Sequence, residues 1–342
     1  MAKCLNIKKD IGFFICFWFL GIGSARSQAN LSKFHITGYS QGTTYQLTYY
    51  AEDSVITQKQ TDSLLGCLDR SVSLYKPTSL ICRFNHSEEG IMIDKPFREL
   101  IEKAVIVNRA TSGLVDITVK PLVDAWGFGV EKSVATPDAE DIRNILLHVG
   151  QDKIWLEGDF LHKKTPSVQI DLNGIAQGYT VDLLGGFCES RNVFNYLAEI
   201  GGEVRVKGTK PNDEPFRIGI EAIDGNDINP GPLRRIITPG SGAVTTSGNY
   251  RNYLKVNGGQ VAHIIDPKTG YPTHNEIISV TVWAQDGISA DGFDNGFIAM
   301  GVNRTLQFLA DRTDIGAYII YRKPDGSIAD ITSPVFKTFI DF

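Results

Sequence analysis

Residues 277–284 read IISVTVWA, and residues 289–296 read SADGFDNG; the reading of this pair decides the fold. The first stretch is rich in β-branched and aromatic residues and predicts a strand. The second opens an apolar run that predicts a helix over 289–301, followed by a second helix over 303–312. GAYIIYR at 316–322 predicts a late strand. Working outward, FHITGYSQGTTYQLTYY at 34–50 predicts two strands paired around Gly42. Residues 55–75 place Ile56, Leu64, Leu65, Leu68, Val72 and Tyr75 at helical spacing. Helices are also expected over 96–111, 138–148 and 175–191. Strands are expected at KIWLEG (153–158), SVQIDL (167–172), 196–208, 216–222, 244–247 and 259–265. The Gly- and Pro-rich stretch 224–240 reads as an exposed loop. Strands and helices mix without a βαβ alternation, which points to an α+β fold rather than a doubly wound parallel sheet.

The chain has 342 residues, 42% of them hydrophobic, enough for one large domain or two interlocked ones. Its formal net charge is −5, which gives no electrostatic reason to expect nucleic acid as a partner. No repeat is visible, so a solenoid is excluded.

The first 27 residues read as an export signal, leaving residues 28–342 as the mature domain. Lys8 and Lys9 close a basic segment, IGFFICFWFLGIG at 11–23 is apolar, and Ser24-Ala25-Arg26-Ser27 supplies small residues for cleavage. The apolar run is shorter than the ~20 residues needed to cross a bilayer. The protein is therefore expected in the periplasm, with inner-membrane association if the leader is retained. Cys67, Cys82 and Cys188 remain after cleavage, and three thiols cannot all pair with one another. A Cys67–Cys82 bridge is permitted but not established, no Cys/His spacing suggests zinc, and the cysteines are expected as packing residues.

Several stretches carry chemistry. In DLNGIAQGY at 171–179 an apolar segment enters a helix through Gly174, where a ligand or ion can approach the main chain. It is neither a Walker A loop nor a dinucleotide fingerprint. TSGLVDITVKPL at 111–122 runs on to WGFG at 126–129, and EIGGE spans 199–203. TTSGNY spans 245–250 and HIIDPKTGYP spans 263–272, where His263 ends a strand before a tight turn. If residues 289–296 open a helix, Asp291 and Asn295 share one face. A carboxylate and an amide oxygen so placed suit Mg²⁺; the alternative is an N-terminal cap by Ser289 or Asp291.

Taken in order, these stretches resemble the ApbE-type flavin transferases, over roughly residues 35–335. GTTY at 42–45, SLYKPTSLICRFN at 73–85 and ADGFDNGFIAMG at 290–301 add to the likeness. The resemblance implies a T-fold-related α+β architecture of two interlocked subdomains with an FAD cleft between them. It implies Mg²⁺-dependent cleavage of FAD, release of AMP, and attachment of FMN through a phosphoester to a Thr or Ser of a target redox protein. Carried over by position, Gln41 and Tyr75 flank the flavin or its ribityl chain. Leu114, Val115, Asp116, Asp171, Gln177 and Ile265 contact FAD. The Gly174 carbonyl, Asp291 and Asn295 hold the metal, and His263 is the catalytic base. Asn295 stands where many members have Thr, and Gln41 where Met is usual. Hydrolysis of FAD to FMN and AMP, or flavin binding without catalysis, are the competing readings.

Overall fold

The computed structural model describes residues 31–130, 136–222, 233–248, 253–256 and 259–340. The expected leader at 1–27, together with Asn249 and Tyr250, lies outside them. Most of the framework is an eight-stranded sheet whose strands follow one another in chain order, each antiparallel to the next. They are Ser32–Ser40, Thr43–Ala51, Tyr196–Ile200, Glu203–Lys207, Gly242–Gly248, Ile277–Ala284, Ile315–Arg322 and Ile328–Thr332. The first two meet at a two-residue turn in which Gln41 (φ 51°) and Gly42 (φ 77°) both take left-handed backbone. That conformation matches the twist of the flanking strands.

The sheet is covered on both faces, and its side chains alternate accordingly. Ala243, Val280, Val282, Ala317 and Ile319 join one core with Phe293 and Phe297 of helix Gly287–Met300. Val244, Trp283, Tyr318 and Ile320 face the opposite way, onto Phe216, Ile218, Ile237 and Phe336. A smaller three-stranded sheet of Gly90–Met92, Phe160–Lys163 and Ile154–Glu157 packs with helices Gln58–Val72, Leu80–His86 and Lys95–Ala110 around a further core. The architecture is α+β, as expected from the sequence.

Two helices lie at the centre, Asn173–Ser190 and Gly287–Met300, and both bury most of their length. They cross closely because glycines remove the side chains between them. A Cβ on Gly178 would fall 2.2 Å from the Gly287 carbonyl oxygen, and one on Gly287 would fall 2.3 Å from that of Gly178. Gly292 and Gly296 make the same allowance on another side, where a Cβ would meet Val107 and Thr111 at 2.9 and 2.8 Å. The Gly287–Met300 helix begins on Asp286, which accepts the Ser289 N–H at 2.8 Å. Neither Ser289 nor Asp291 is its cap, and Asp291 is thereby placed in the second turn.

Two expectations are corrected, and the reading of the cysteines as packing residues holds for two of the three. SVQIDL forms no ladder, although Val168, Ile170 and Leu172 alternate into the core. A side chain takes the place of a partner strand: the Asn85 amide accepts the Ile170 N–H at 2.8 Å and donates to the Ile170 carbonyl at 3.0 Å. Residues 233–237 of the expected loop form strand Leu233–Ile237, paired with Ile218–Glu221. The three cysteines are free thiols: Cys82 and Cys188 are buried packing residues and Cys67 is exposed.

The crossing yields a paired prediction. Gly178→Ala forces a methyl into backbone and should cost about 1–3 kcal/mol or more. Gly186→Ala, on an open stretch of the same helix, should be neutral or stabilise by about 0.4–1 kcal/mol. Urea denaturation of both variants checks this, and equal effects would contradict the close crossing.

Candidate active site

The central helices run antiparallel, and positions four apart on one meet positions four apart on the other. Gly174, Gly178 and Asp182 face Asn295, Asp291 and Gly287. At the inner end, Asp182 accepts the Gly287 and Ile288 N–H groups at 2.7 and 2.9 Å. A carboxylate thus caps the positive end of the second helix, held from behind by Arg205 at 2.5 Å. In the middle, Asp291 Oδ2 accepts the Gly178 N–H at 2.7 Å. At the open end, Asn295 Nδ2 faces the Gly174 carbonyl at 3.5 Å, while Asn295 Oδ1 accepts from Ser247 Oγ at 2.8 Å.

This open end is a corner of oxygen donors. Gly178 N–H is the donor a regular helix would direct to the Gly174 carbonyl, and its bond to Asp291 leaves that carbonyl freer for another partner. Among the described residues no group of three His, Cys, Asp or Glu side chains is arranged for a metal. A cation here would lean on main-chain and amide oxygens with one carboxylate, a hard set of the kind Mg²⁺ takes with several retained waters. The buried charge fits such an occupant. Asp291 is 5% exposed, and burial, with Asp182 adding repulsion, raises its pKa to about 7 against the Gly178 and Gln177 amides that oppose the shift. Asp294 beside it is buried too, and its Oδ1 has no hydrogen-bond partner. Burial, then repulsion from Asp291 and Glu203, holds its pKa well above the carboxylate range.

The other expected site residues fall around this corner in separate groups. Gln41 Nε2 donates to Thr180 Oγ1 at 2.8 Å, and the Gln177 amide lies over Gly201, where a Cβ would meet its Nε2 at 2.8 Å. The first hairpin and the EIGGE turn therefore converge on one stretch of helix Asn173–Ser190. Leu114 and Val115 form a half-buried turn after helix Lys95–Ala110. Val115 packs towards Gly296, and Lys268 lies beside Gly113, so this turn bridges the Gly287–Met300 helix and the HIIDPKTGYP loop. Asp116 is turned inward. One oxygen takes the Thr118 N–H and hydroxyl at 2.8 and 2.6 Å, and the other takes the Gln151 N–H at 2.8 Å. Asp171 stands just before the helix, half-buried, accepting the Asn173 N–H at 2.7 Å. Burial raises its pKa to about 6, opposed by the Asn173 N–H and Lys120.

His263 is half-buried, with the Phe128 ring set edge-on at 6.4 Å. Ile265 is buried and bridges to Pro272 across the turn. Trp126 Nε1 donates to the Gly270 carbonyl at 2.8 Å and packs on Tyr271, so WGFG clasps the loop that carries His263. Tyr75 is 70% exposed, a free ring on the loop after helix Gln58–Val72. Sequence reasoning missed Asp182, Ser247, Thr180 and Phe128 as parts of this arrangement. Asp182 was legible, since it continues the 174, 178 spacing; the others announce themselves only through tertiary contacts.

The model of the ApbE family matches residues 41–319, and the chain belongs to the ApbE family. A FAD:protein FMN transferase of Vibrio cholerae is 34% identical over 94% of this chain and 98% of its own length. One of Haemophilus influenzae is 32% identical over 93% and 94%. The solved structure of flavin transferase ApbE from Vibrio cholerae superposes with a TM-score of 0.81 at 33% identity, covering 90% of this chain and 99% of that one.

The raised Asp291 pKa fixes a pH dependence. Without metal, folded protein keeps a proton that unfolded chain releases between about pH 4 and 7. Metal-free stability should therefore fall as pH rises through that window. A bound cation needs the carboxylate, so its stabilisation should grow over the same window and level off above it. Melting temperatures with and without Mg²⁺ from pH 5 to 8 test both trends. Both should shrink in Asp291→Asn, and a Mg²⁺ shift independent of pH would contradict them.

Proposed function

We propose that the protein transfers FMN from FAD to a Thr or Ser hydroxyl of an acceptor redox protein, with release of AMP and with Mg²⁺ at the corner formed by Gly174, Asp291 and Asn295. The observation that carries this reading is the corner itself, where the buried Asp291 carboxylate, the Gly174 carbonyl and the Asn295 side-chain amide come together near the start of a helix. The relatives' shared name, FAD:protein FMN transferase, supports the reaction class. Mg²⁺, when bound, supplies charge neutralisation to the diphosphate oxygens.

This chain's residues account for the remainder. The first-turn amides of helix Asn173–Ser190 favour an anionic group near Gly174. Gln41 and Gln177 offer amide hydrogen bonds to the ribityl or phosphate oxygens. The exposed Tyr75 ring offers a stacking face, and Leu114, Val115 and Ile265 supply apolar contacts. Asp171 accepts from polar hydrogens of FAD. Asp116, with both oxygens engaged, supports the FAD contacts by fixing the turn that presents Leu114 and Val115. His263 accepts the acceptor hydroxyl's proton as the new P–O bond forms. The P–O–P bond of FAD breaks, and AMP leaves with the bridging oxygen. The basic and apolar start of the chain, read as a leader over 1–27, supports a reaction outside the cytoplasm, in the periplasm, with inner-membrane association if the leader is retained. Recovery of secreted protein with an intact Met1 would contradict leader cleavage.

Mass spectrometry of an acceptor subunit incubated with FAD, Mg²⁺ and the protein tests the reaction: a Thr or Ser carrying FMN is expected. Free FMN and AMP with an unmodified acceptor would instead indicate hydrolysis. Asp291→Ala should abolish metal-dependent cleavage. His263→Ala should keep FAD binding while transfer falls by roughly 10²–10⁴-fold. At saturating Mg²⁺, where the bound cation keeps Asp291 ionised, it should also lose the rise in rate with pH, since only neutral imidazole accepts a proton. A variant with wild-type transfer and an unchanged pH profile would remove His263 from the mechanism.

A further inference from the structure

The Asn295 amide lies with the wrong end towards the metal corner. Its Nδ2 faces the Gly174 carbonyl at 3.5 Å, and its oxygen is turned to Ser247. An amide NH₂ cannot bind a cation: it carries two hydrogens, and its lone pair is delocalised. In this arrangement the Gly174 carbonyl receives a donor. With the amide reversed and no cation present, two oxygens would confront each other.

Ser247 makes the reversal feasible. It is half-buried on strand Gly242–Gly248, two residues beyond Thr245 and on the same face. A hydroxyl can both donate and accept. Ser247 donates to Asn295 Oδ1 in the present state, and after a reversal it would accept from Nδ2. One side chain therefore serves both orientations.

We propose that Asn295 is a two-position ligand: its amide turns over when a divalent cation binds, bringing Oδ1 beside the Gly174 carbonyl and Asp291, while Ser247 changes from donor to acceptor and holds the turned amide. The inference rests on the metal reading above. Ser247 is a positioning residue, and its role belongs to Asn at 295. A Thr at 295 would offer one oxygen and need no reversal. The cation acts by differential affinity, since only the turned state completes its oxygen set.

The test is calorimetric titration of the purified protein with Mg²⁺. Ser247→Ala should weaken binding by about 10–100-fold, the usual effect of losing a group that orients a ligand. Ser247→Thr, which keeps the hydroxyl, should restore it. In an Asn295→Thr background the added Ser247→Ala should change little. The side-chain amide signal of Asn295 in ¹⁵N-labelled protein, assigned by its loss in Asn295→Thr, should move on Mg²⁺ addition. Wild-type affinity in Ser247→Ala would overturn the proposal. So would an equal loss in both Asn295 backgrounds, which marks a merely structural role, or an amide signal that stays fixed. A wild-type protein that binds no Mg²⁺ would overturn the metal reading itself.

Discussion

Gly178 and Gly287 allow two buried helices to touch backbone to backbone, and the site depends on that contact. Each would-be Cβ falls on the other helix's carbonyl, so the crossing tolerates no side chain. Once the axes are this close, the four-residue spacing does the rest. Asp182 reaches the start of the second helix, Asp291 reaches the Gly178 amide, and Asn295 reaches Gly174. A wider crossing would separate all three pairs together.

The same contact explains why a carboxylate can be buried here. Desolvation raises the pKa of Asp291, and Asp182 adds like charge nearby. Only the amides at the start of helix Asn173–Ser190 oppose this, so the metal-free site sits in an unfavourable balance that a cation relieves. The surrounding elements are tied to the crossing by direct contacts. The turn at 111–115 packs on Gly296, Lys268 lies on that turn, and Trp126 holds the loop bearing His263. The proposed cation corner and His263 are thereby tied to one framework.

Much of this was legible in the sequence, for identifiable reasons. Local periodicity gave the central elements: 277–284 proved to be a strand to the residue, and the hairpin around Gly42 needed its left-handed Gln41 and Gly42. The i, i+4 pair Asp291 and Asn295 follows from helix geometry alone. What failed was non-local. SVQIDL has a strand's alternation, but its backbone partner is the Asn85 side chain, which no periodicity reveals. The strand at 233–237 hides in a Gly- and Pro-rich context and forms through pairing with 218–221. Ser247 looks like any strand serine until the fold lays it against Asn295. The inward turn of Asp116 likewise depends on Gln151, far along the chain.

The crossing brings Gly174, Asp291 and Asn295 together as the proposed cation site. Anomalous diffraction from crystals soaked with Mn²⁺, an anomalously scattering stand-in for Mg²⁺ with the same preference for oxygen, tests that site. The account predicts one strong peak within bonding distance of the Gly174 carbonyl, an Asp291 carboxylate oxygen and Asn295 Oδ1. A peak elsewhere, with these three oxygens unligated, would contradict it.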